Sequence, residues 1–510
     1  MLKPRTIALA GLVLACLPAH AQVNFAVRYL DCEAGDDAND GKTAATAKRT
    51  LQGALAGIPD GCHRPVEVHV LPGRCRVERA SSPGPVLPPT SCAPLPESCT
   101  AVGLWPDTRL LGAGSETSSI LGTAEAPVLF TDRPECTPGG PRLVLQDLTL
   151  DLTDDQGIGI VLPRRDALRA RGVDFVNETS VPGPVRVAIS DSWFSAGLGV
   201  GPANGYIRNT GFGGNEINDA NTPLLSVTVR PGGKLVVSDS QLESGYFFQG
   251  AVARCADGGG VLVLEHNTFS LPPDGALTVG GSTGCEIHVL RNRFTYASYW
   301  DDPGLGVQVL FPSNAALTLS GNTFDGYQSD YTALSVAPGS NVVADVAYNT
   351  FARSVLDAIT LPDDGSGHVR IRGNAFYAID GAAIRVEEGG QKPELSFNNF
   401  DTVGDALCLG STCFATGQAV DGSGAGGGNR DFTSEFQSVA VPGDFHLTAA
   451  SPLIDAADPQ DVTPRRDQDG RLRPVDGDGD AQAVCDIGAF EFLPPPPGLG
   501  RDALRPKRAR

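Results

Sequence analysis

The sequence predicts an all-β solenoid, a chain wound into a coil of short strands, and the first observation behind this class is a repeated phrase. Asn-x-Phe occurs six times between residues 264 and 400. Its copies begin at Asn267, Asn292, Asn322, Asn349, Asn374 and Asn398, so the steps are 25, 30, 27, 25 and 24 residues. A period of about 20–50 residues is typical of a solenoid.

The second observation is that strands recur with the phrase. An alternating apolar run precedes each copy, as at residues 261–264, and a second run follows it, starting at Leu277, Val307, Leu334, Ile359 and Ile384. Strands that return in register at every turn require parallel sheets wound into a coil. Leucine-rich repeats are the alternative solenoid, but they lack these β-branched runs.

Composition is the third observation. The chain has 62 Gly and 39 Pro but only 1 Met and 6 Lys, a balance that disfavours long helices and favours turns. The repeated phrase itself has a structural interpretation. Phe rings would stack inside the coil, and Asn would adopt the left-handed conformation of a sharp corner and hydrogen-bond along the ladder.

The first 21 residues predict a signal peptide. Lys3 and Arg5 precede an apolar run over residues 7–17, and Ala19-His20-Ala21 forms a small-x-small cleavage site. The apolar run is too short to span a bilayer. A competing interpretation is a lipoprotein box over residues 13–16, with Cys16 lipidated. The sequence thus predicts export to the exterior, cell surface or periplasm of a bacterium, with no transmembrane segment in the mature chain.

Export predicts disulfides, because an oxidising compartment pairs cysteines. Outside the signal peptide the chain has 11 cysteines, so at least one thiol stays free. Cys255 and Cys285 lie about one repeat apart, so a disulfide between them could link neighbouring turns. Cys92–Cys99 and Cys408–Cys413 would close local loops. A zinc site is the alternative, but no short CxxC pair is present.

The start of the mature chain carries a resemblance. A Gly-Asp-Asp-x-Asn-Asp-Gly loop (35–41) precedes a short helix over residues 49–58 and a strand ending at Leu71-Pro72-Gly73. These motifs, with Leu110-Leu111-Gly112 after them, resemble the opening of secreted bacterial proteins of the pectate-lyase-like superfamily. The resemblance implies a right-handed, single-stranded parallel β-helix over residues 22–415, with the helix as an N-terminal cap.

A distinct C-terminal module is predicted over residues 431–493, after a Gly-rich linker at 416–430. Its end motifs, Ser451-Pro452-Leu453-Ile454-Asp455 and Asp486-Ile487-Gly488-Ala489-Phe490, resemble the choice-of-anchor Q domain of surface-destined bacterial proteins. Such modules usually precede a sorting signal. Here a Pro-rich and basic tail, residues 494–510, takes its place without an apolar span.

A binding or catalytic site is predicted in the loops after each Phe. These loops should stack on one side of the coil about 4.8 Å apart. Aromatic rings there would bind the apolar faces of sugars, and the chain offers Tyr296, Tyr299, Trp300, Tyr327, Tyr331 and Tyr377. Carboxylates or a cation could act as acid, base or anchor, and the candidates are Asp301, Asp302, Asp330 and Arg353. The alternative is that these are ordinary turn residues.

A calcium ion is the only cofactor that the sequence suggests. Asp476, Asp478 and Asp480 alternate in a Gly-rich loop, and their oxygens suit calcium's flexible shell. The twelve-residue helix–loop–helix pattern is absent, so the ion would be structural. A solvated acidic turn is the alternative.

The net charge of −20 argues against nucleic acid and disfavours anionic glycans unless a cation bridges the two. Three hypotheses follow: a non-catalytic protein that binds polysaccharide or another surface glycan, a polysaccharide lyase or glycoside hydrolase, and a purely structural surface protein. No Lys falls in the aromatic row, which disfavours a lyase with a Lys base. Gly367-His368-Val369-Arg370 resembles a hydrolase motif but predicts a strand.

Overall fold

The computed structural model describes residues 25–494 apart from short stretches. Those stretches are 57, 59–63, 77–101, 105–106, 123–128, 131–141, 153–159, 162–166, 177–178, 182–183, 214–222, 244–249, 272–276, 298–303, 314, 328–330, 355, 364–366, 441 and 462. The predicted signal peptide, the lipidation site at Cys16, the Cys92–Cys99 pair and the basic tail lie outside the described residues.

The chain forms an all-β parallel solenoid, as predicted, in which the strands of each turn pair with those of the next turn. Three ladders run along the coil. Ladder one holds β1 (Ala26–Leu30), β2 (Val66–Val70), β5 (Asp107–Leu111), β12 (Val185–Ser190), β17 (Gly233–Ser238), β20 (Gly260–Glu265), β23 (Cys285–Leu290), β26 (Ala316–Ser320), β29 (Val343–Ala347), β32 (His368–Arg372), β34 (Glu394–Ser396) and β37 (Gly426–Gly427).

Ladder two follows in each turn and carries the Phe positions. It holds β3 (Gly73–Arg76), β6 (Ser118–Gly122), β13 (Trp193–Phe194), β15 (Gly211–Gly213), β18 (Gln241–Glu243), β21 (Thr268–Leu271), β24 (Arg293–Ala297), β27 (Thr323–Tyr327) and β30 (Thr350–Ala352). Ladder three holds β11 (Thr179–Val181), β16 (Leu225–Val229), β19 (Ala251–Cys255), β22 (Leu277–Gly281), β25 (Gly304–Ser313), β28 (Tyr331–Ser340) and β31 (Ile359–Leu361).

Some long strands bend from one ladder into another. These are β8 (Arg142–Leu152), β10 (Ala167–Phe175), β14 (Leu198–Arg208), β33 (Ala375–Val386) and β35 (Asn399–Leu409). A separate parallel sheet holds β4 (Val102–Gly103), β7 (Leu129–Phe130) and β9 (Ile160–Val161), while β36 (Thr412–Phe414) pairs antiparallel with β35. In the C-terminal module β38 (Phe436–Ser438) pairs antiparallel with β39 (Asp444–Leu447).

The Asn residues form a continuous hydrogen-bond ladder at the corner between ladders one and two. Asn292 is typical: its backbone N–H and its Nδ2 both donate to Oδ1 of Asn322, at 2.8 and 3.1 Å, and Nδ2 also donates to the Leu264 carbonyl at 2.9 Å. The same bonds recur through Asn398. Each buried side-chain amide is therefore satisfied by the turns on both sides of it.

The left-handed conformation belongs to the residue before each Asn, and the prediction that Asn adopts it was wrong. The preceding residues His266, Arg291, Gly321, Tyr348, Gly373 and Phe397 have φ values of 53–66°. That conformation costs about 1–2 kcal/mol for a residue with a Cβ, so Gly321 and Gly373 relieve it at two corners. Asn is required for its side chain, which must accept two bonds and donate two.

The Phe rings stack inside the coil as predicted. From Phe269 to Phe400, successive ring centroids lie 4.6–5.3 Å apart and the planes are within 12° of parallel. Isolated rings prefer offset or edge-to-face arrangements. The face-to-face stack follows instead from the sheet, whose strand spacing of about 4.8 Å fixes one ring per turn.

Helices close the coil at both ends. At the N-terminal end α1 (Leu51–Leu55) buries Leu51, Ala54 and Leu55, and Thr50 caps it by accepting a hydrogen bond from the Gly53 N–H at 2.9 Å. This matches the predicted cap but is shorter. A 3₁₀ turn (Ala44–Thr46) precedes it.

The C-terminal end of the coil lies in the segment predicted as a linker. There β37 pairs in parallel with β34, and Asn429 accepts from Asn398 as a further rung of the ladder. Asp421 of α2 (Gly417–Gly422) then accepts from Asn429 Nδ2 at 2.5 Å. Glycine is needed here because a Cβ at Gly426 would lie 1.3 Å from the Leu395 carbonyl oxygen. The Gly-rich composition thus reflects close packing.

Three disulfides occur among the described residues. Cys255–Cys285 joins neighbouring turns and Cys408–Cys413 closes a local hairpin, both as predicted. Cys32–Cys75 was not predicted from the sequence. Cys485 is buried and unpaired.

Replacing one ladder residue tests the role of the phrase. Asn322→Ala removes the acceptor of two Asn292 donors and leaves them buried, so we expect the free energy of unfolding to fall by about 3 kcal/mol. Urea unfolding followed by circular dichroism measures it. Asn204→Ala is the control, because Asn204 lies half-buried on the outer face and its Oδ1 has no partner among the described residues. An equal, small effect of both substitutions would contradict a structural ladder.

Candidate functional site

The predicted aromatic row begins where ladder two ends. Tyr327 is the last residue of β27, and its Cα partner is Ala297, the last residue of β24. Tyr296 is the second-last residue of β24. Tyr331 opens β28 opposite Gly304, which opens β25. Because these strands pair in register, the ends of the strands lie at neighbouring positions along the coil. The predicted site residues Tyr299, Trp300, Asp301, Asp302 and Asp330 lie outside the described residues.

Arg353 lies under the C-terminal module. Its Nε donates to Oδ1 of Asp325 at 2.8 Å, Nη2 contacts the same oxygen, and Nη1 donates to the Val439 carbonyl at 2.8 Å. Asp325 is fully buried and also accepts from the Gly443 N–H at 3.1 Å. The ion pair between this predicted catalytic cation and Asp325 thus fastens Val439 and Gly443 of the module to ladder two.

Tyr377 also meets the module. Its ring packs edge-on against Phe436, with centroids 5.6 Å apart, and Phe436 packs edge-on against Phe445. Tyr377 remains half-buried. The register puts Tyr377 one rung beyond Ala352 and two beyond Asp325, so the first residue after each Phe in these turns faces the module.

The module covers one stretch of ladder two. The x position of the phrase shows its extent: Thr323, Thr350, Ala375 and Asn399 are 0–2% exposed, whereas Trp193, at the same position in an earlier turn, is 38% exposed. Backbone bonds hold the module there, from Gly488 N–H to the Gly373 carbonyl at 2.9 Å and from Ala489 N–H to Thr350 Oγ1 at 3.0 Å. Arg372 adds an ion pair with Asp461.

Trp193 is an aromatic residue that the site prediction missed. Its ring lies flat across the next turn, and Nε1 donates to Ser195 Oγ at 3.1 Å. A Cβ at Gly211 would lie 2.0 Å from the ring, and one at Gly213 would lie 2.5 Å from it. The signal available in the sequence was this pair of glycines, one turn after Trp193 and on the same face of the strand.

A second missed group lies on the module. His446 is held between two carboxylates: Nδ1 is 2.5 Å from Asp444 Oδ1 and Nε2 is 2.9 Å from Asp469 Oδ2. Arg471 approaches Asp469 to 3.1 Å. Burial alone would lower the pKa of His446, but the bonds to Asp469 and Asp444 outweigh it and raise that pKa above its ordinary value. The Asp-x-His spacing on β39 was the sequence signal.

The acidic loop brings together a different trio from the predicted one. Asp476 and Asp478 lie with Asp455, and oxygens of all three are within 4.8 Å of one another. Asp480 instead accepts from the Gln482 N–H at 2.7 Å. Asp455 already accepts from the backbone N–H groups of 477 and 478, at 2.8 and 2.9 Å. The residues present could hold calcium, and they also satisfy the loop's own backbone.

The module is built around a buried ion pair. Arg473 Nε donates to Glu491 Oε2 at 2.7 Å, and both side chains are fully buried. The guanidinium also donates to the carbonyls of Asp486 and Gly488. Burial, and then the Glu491 charge, raises the pKa of Asp486 to about 8. These residues come from the end motif of the chain, so that motif has a structural role here.

The fold and its surfaces define a parallel β-solenoid with a C-terminal module packed back along it. No family model matches the sequence, and no curated protein does. Among solved structures, the chain is similar to the catalytic unit of a thermostable GH87 α-1,3-glucanase from Streptomyces thermodiastaticus, with 12% identity over 74% of this chain and a TM-score of 0.42. The match spans 64% of the glucanase chain.

The chain is similar to two further solved structures. Pectate lyase Pel9A has 13% identity and a TM-score of 0.39, with 92% of this chain and 98% of that chain covered. The Streptococcus pneumoniae surface protein and adhesin PfbA has 11% identity and a TM-score of 0.32, covering 75% of this chain and 94% of its own. At such identities the likeness concerns the fold alone.

The pH dependence of stability tests the His446 cluster. A histidine whose pKa is higher in the folded protein than its unfolded value of about 6.5 stabilises the fold fully below that pH. This contribution to stability is lost as the pH rises through the folded pKa. We therefore expect wild type to lose about 1 kcal/mol more than His446→Ala between pH 6 and 9 in urea unfolding.

Two comparisons keep this measurement specific. Asp486, whose raised pKa also removes stability as the pH rises, contributes equally to both proteins and cancels in the difference. His368→Ala, which replaces an exposed histidine on ladder one, is the matched control variant. Parallel pH curves for wild type and His446→Ala would show that the cluster does not stabilise the fold.

Proposed function

We propose that the protein is exported and binds polysaccharide or another surface glycan without cleaving it. The observation that carries this proposal is Trp193, which is exposed on a flat sheet face and fixed over the glycines of the next turn. A ring that is immobilised before binding loses little entropy when a sugar stacks on it. Its indole N–H is already bonded to Ser195, so the upper face offers an apolar, polarisable surface.

The predicted loop row is a second part of the same proposal. Tyr296, Tyr327 and Tyr331 stand where neighbouring turns leave ladder two or enter ladder three, so Trp300 and its neighbours would extend a line of rings along the coil axis. A linear polysaccharide fits such a line because the coil adds one position about every 4.8 Å. Any structural calcium at Asp455, Asp476 and Asp478 would lie on the module.

Export of the chain agrees with its disulfides. Disulfides such as Cys32–Cys75 are typical of proteins in oxidising compartments. Among the described residues, the structure contains no helix of the length and apolarity needed to cross a bilayer. The signal peptide and the anchoring role of the C-terminal module belong to the proposal.

A lyase or glycoside hydrolase acting at the loop row is the second candidate, and a purely structural surface protein is the third. Enzymatic action would need Asp301, Asp302 or Asp330 as acid or base. Arg353, the predicted basic partner, is already bound to Asp325 and Val439 beneath the module. That geometry favours binding over catalysis.

Affinity electrophoresis through gels of neutral and acidic polysaccharides tests the proposal, with reducing ends and unsaturated products measured in parallel. We expect retention by at least one polymer without products, weakened about tenfold by Trp193→Ala or Trp300→Ala. Phe432→Ala is the control, because Phe432 is similarly exposed, at 39%, but packs beside Arg430. Cleavage lost in Asp301→Ala or Asp302→Ala would establish an enzyme, and retention by no polymer would leave the structural role.

A further inference from the structure

The outer face of ladder one is strongly basic from β8 to β17, although the chain as a whole has a net charge of −20. The turn before this stretch carries an acid, Asp107 of β5, as the Cα partner of Arg142. We define the basic face as the outward positions of β8, β10, β12, β14 and β17 on this ladder. Six exposed cations lie there: Arg142, Arg169, Arg171, Arg186, Arg208 and Lys234. Among the outward residues of these strand segments no carboxylate occurs.

The cations stand in rows fixed by the strand register. Along one row Ala167 separates Arg142 from Arg186, and along another Ser190 separates Arg171 from Arg208. Each small residue occupies the rung between two long side chains, so cations in a row are two rungs, or about 9.6 Å, apart. The rows therefore leave notches between guanidinium groups.

The middle row has the same pattern with an aromatic member. Ala188 separates Arg169 from Tyr206, and Tyr206 is 46% exposed. A flat ring beside cations suits a ligand with both an apolar face and an anionic group. Sugars that carry a carboxylate or sulfate have both, and arginine pairs bidentately with either anion.

Among the described residues, intramolecular ion pairs neutralise little of this charge. Arg171 approaches Asp191 to 3.5 Å, and both side chains are well exposed. Asp191 belongs to the corner beside ladder two, with Asp147 and Asp239 at equivalent corners of nearby turns. These acids border the basic face along one edge, so the positive strip is one sheet wide and runs along the coil axis.

We propose that the basic face binds a linear polyanionic polysaccharide, laid along the coil axis with its carboxylate or sulfate groups in the notches between the arginines. A single polysaccharide strand is narrow enough to follow the strip. A nucleic-acid duplex is wider and would extend over the acidic edge. The site lies on a different ladder from Trp193 and the loop row, and it takes a different class of ligand.

The expected interaction differs from the calcium-bridged binding that an acidic protein would otherwise need. Direct arginine pairing requires no metal, so a chelator should leave it unchanged. Exposed charge pairs are screened by salt, with a Debye length of about 8 Å at 0.15 M ionic strength. Binding should therefore weaken steeply as sodium chloride is raised.

Affinity electrophoresis of the full chain through polygalacturonate, dextran sulfate and neutral dextran gels tests this proposal. We expect wild type to be retained by one or both polyanions in EDTA and released by 0.5 M salt (~4 Å Debye length). Arg169→Glu with Arg186→Glu should weaken retention at least tenfold, while Arg169→Lys with Arg186→Lys keeps most of it. Polygalacturonate and dextran sulfate separate carboxylate from sulfate ligands.

Arg254→Glu is the matched control, since Arg254 is exposed on ladder three and outside the basic face. It should bind as wild type does, and circular dichroism should show that every variant is folded. Undiminished retention of the double glutamate variant, retention that requires calcium, or tighter binding of duplex DNA would overturn the proposal. Trp193→Ala should leave polyanion retention intact, so failure here is distinguishable from failure of the proposed function.

Discussion

The Asn ladder is the constraint on which the rest of the structure depends. Each coil turn must bend sharply at the corner between ladders one and two, and the bend interrupts the regular backbone pairing of the strands. The side chain of Asn322 satisfies backbone groups at this corner by bonding to turns on both sides of it. Because each Asn needs the next, the corner recurs at one position per turn, and the Phe stack and outer loops inherit that spacing.

The C-terminal module buries ladder two in the later turns of the coil but not in the earlier turns. The C-terminal module seals the later turns through Asp325 and Arg353, and it places Tyr377 in an aromatic contact. The earlier turns stay open, and there Trp193 and the basic face are presented to solvent. Residues at the same position of the repeat therefore have different roles in different turns, because the module covers some of these turns and not others.

The sequence predicted the solenoid, the Phe stack and the Cys255–Cys285 disulfide because each follows from the period of the repeat. It predicted the Cys408–Cys413 disulfide because the two cysteines are close in sequence. It placed the left-handed corner one residue too late, since both Asn and its predecessor lie at the turn. The coverage of Arg353 could not be predicted, because it depends on a contact with Val439 across 86 residues. The basic face could not be predicted from the net charge, because that number sums the charges of all surfaces. The fold places the arginines of the basic face on one surface.

Amide hydrogen exchange on the full chain, measured by mass spectrometry, tests most directly whether coil and module form one unit built on this ladder. The backbone N–H of Asn292 and the module N–H groups of Gly443, Gly488 and Ala489 all donate to buried acceptors across the corner or the module contact. We expect them to exchange as slowly as the core strands. Rapid exchange of the three module amides beside a protected coil would contradict the account.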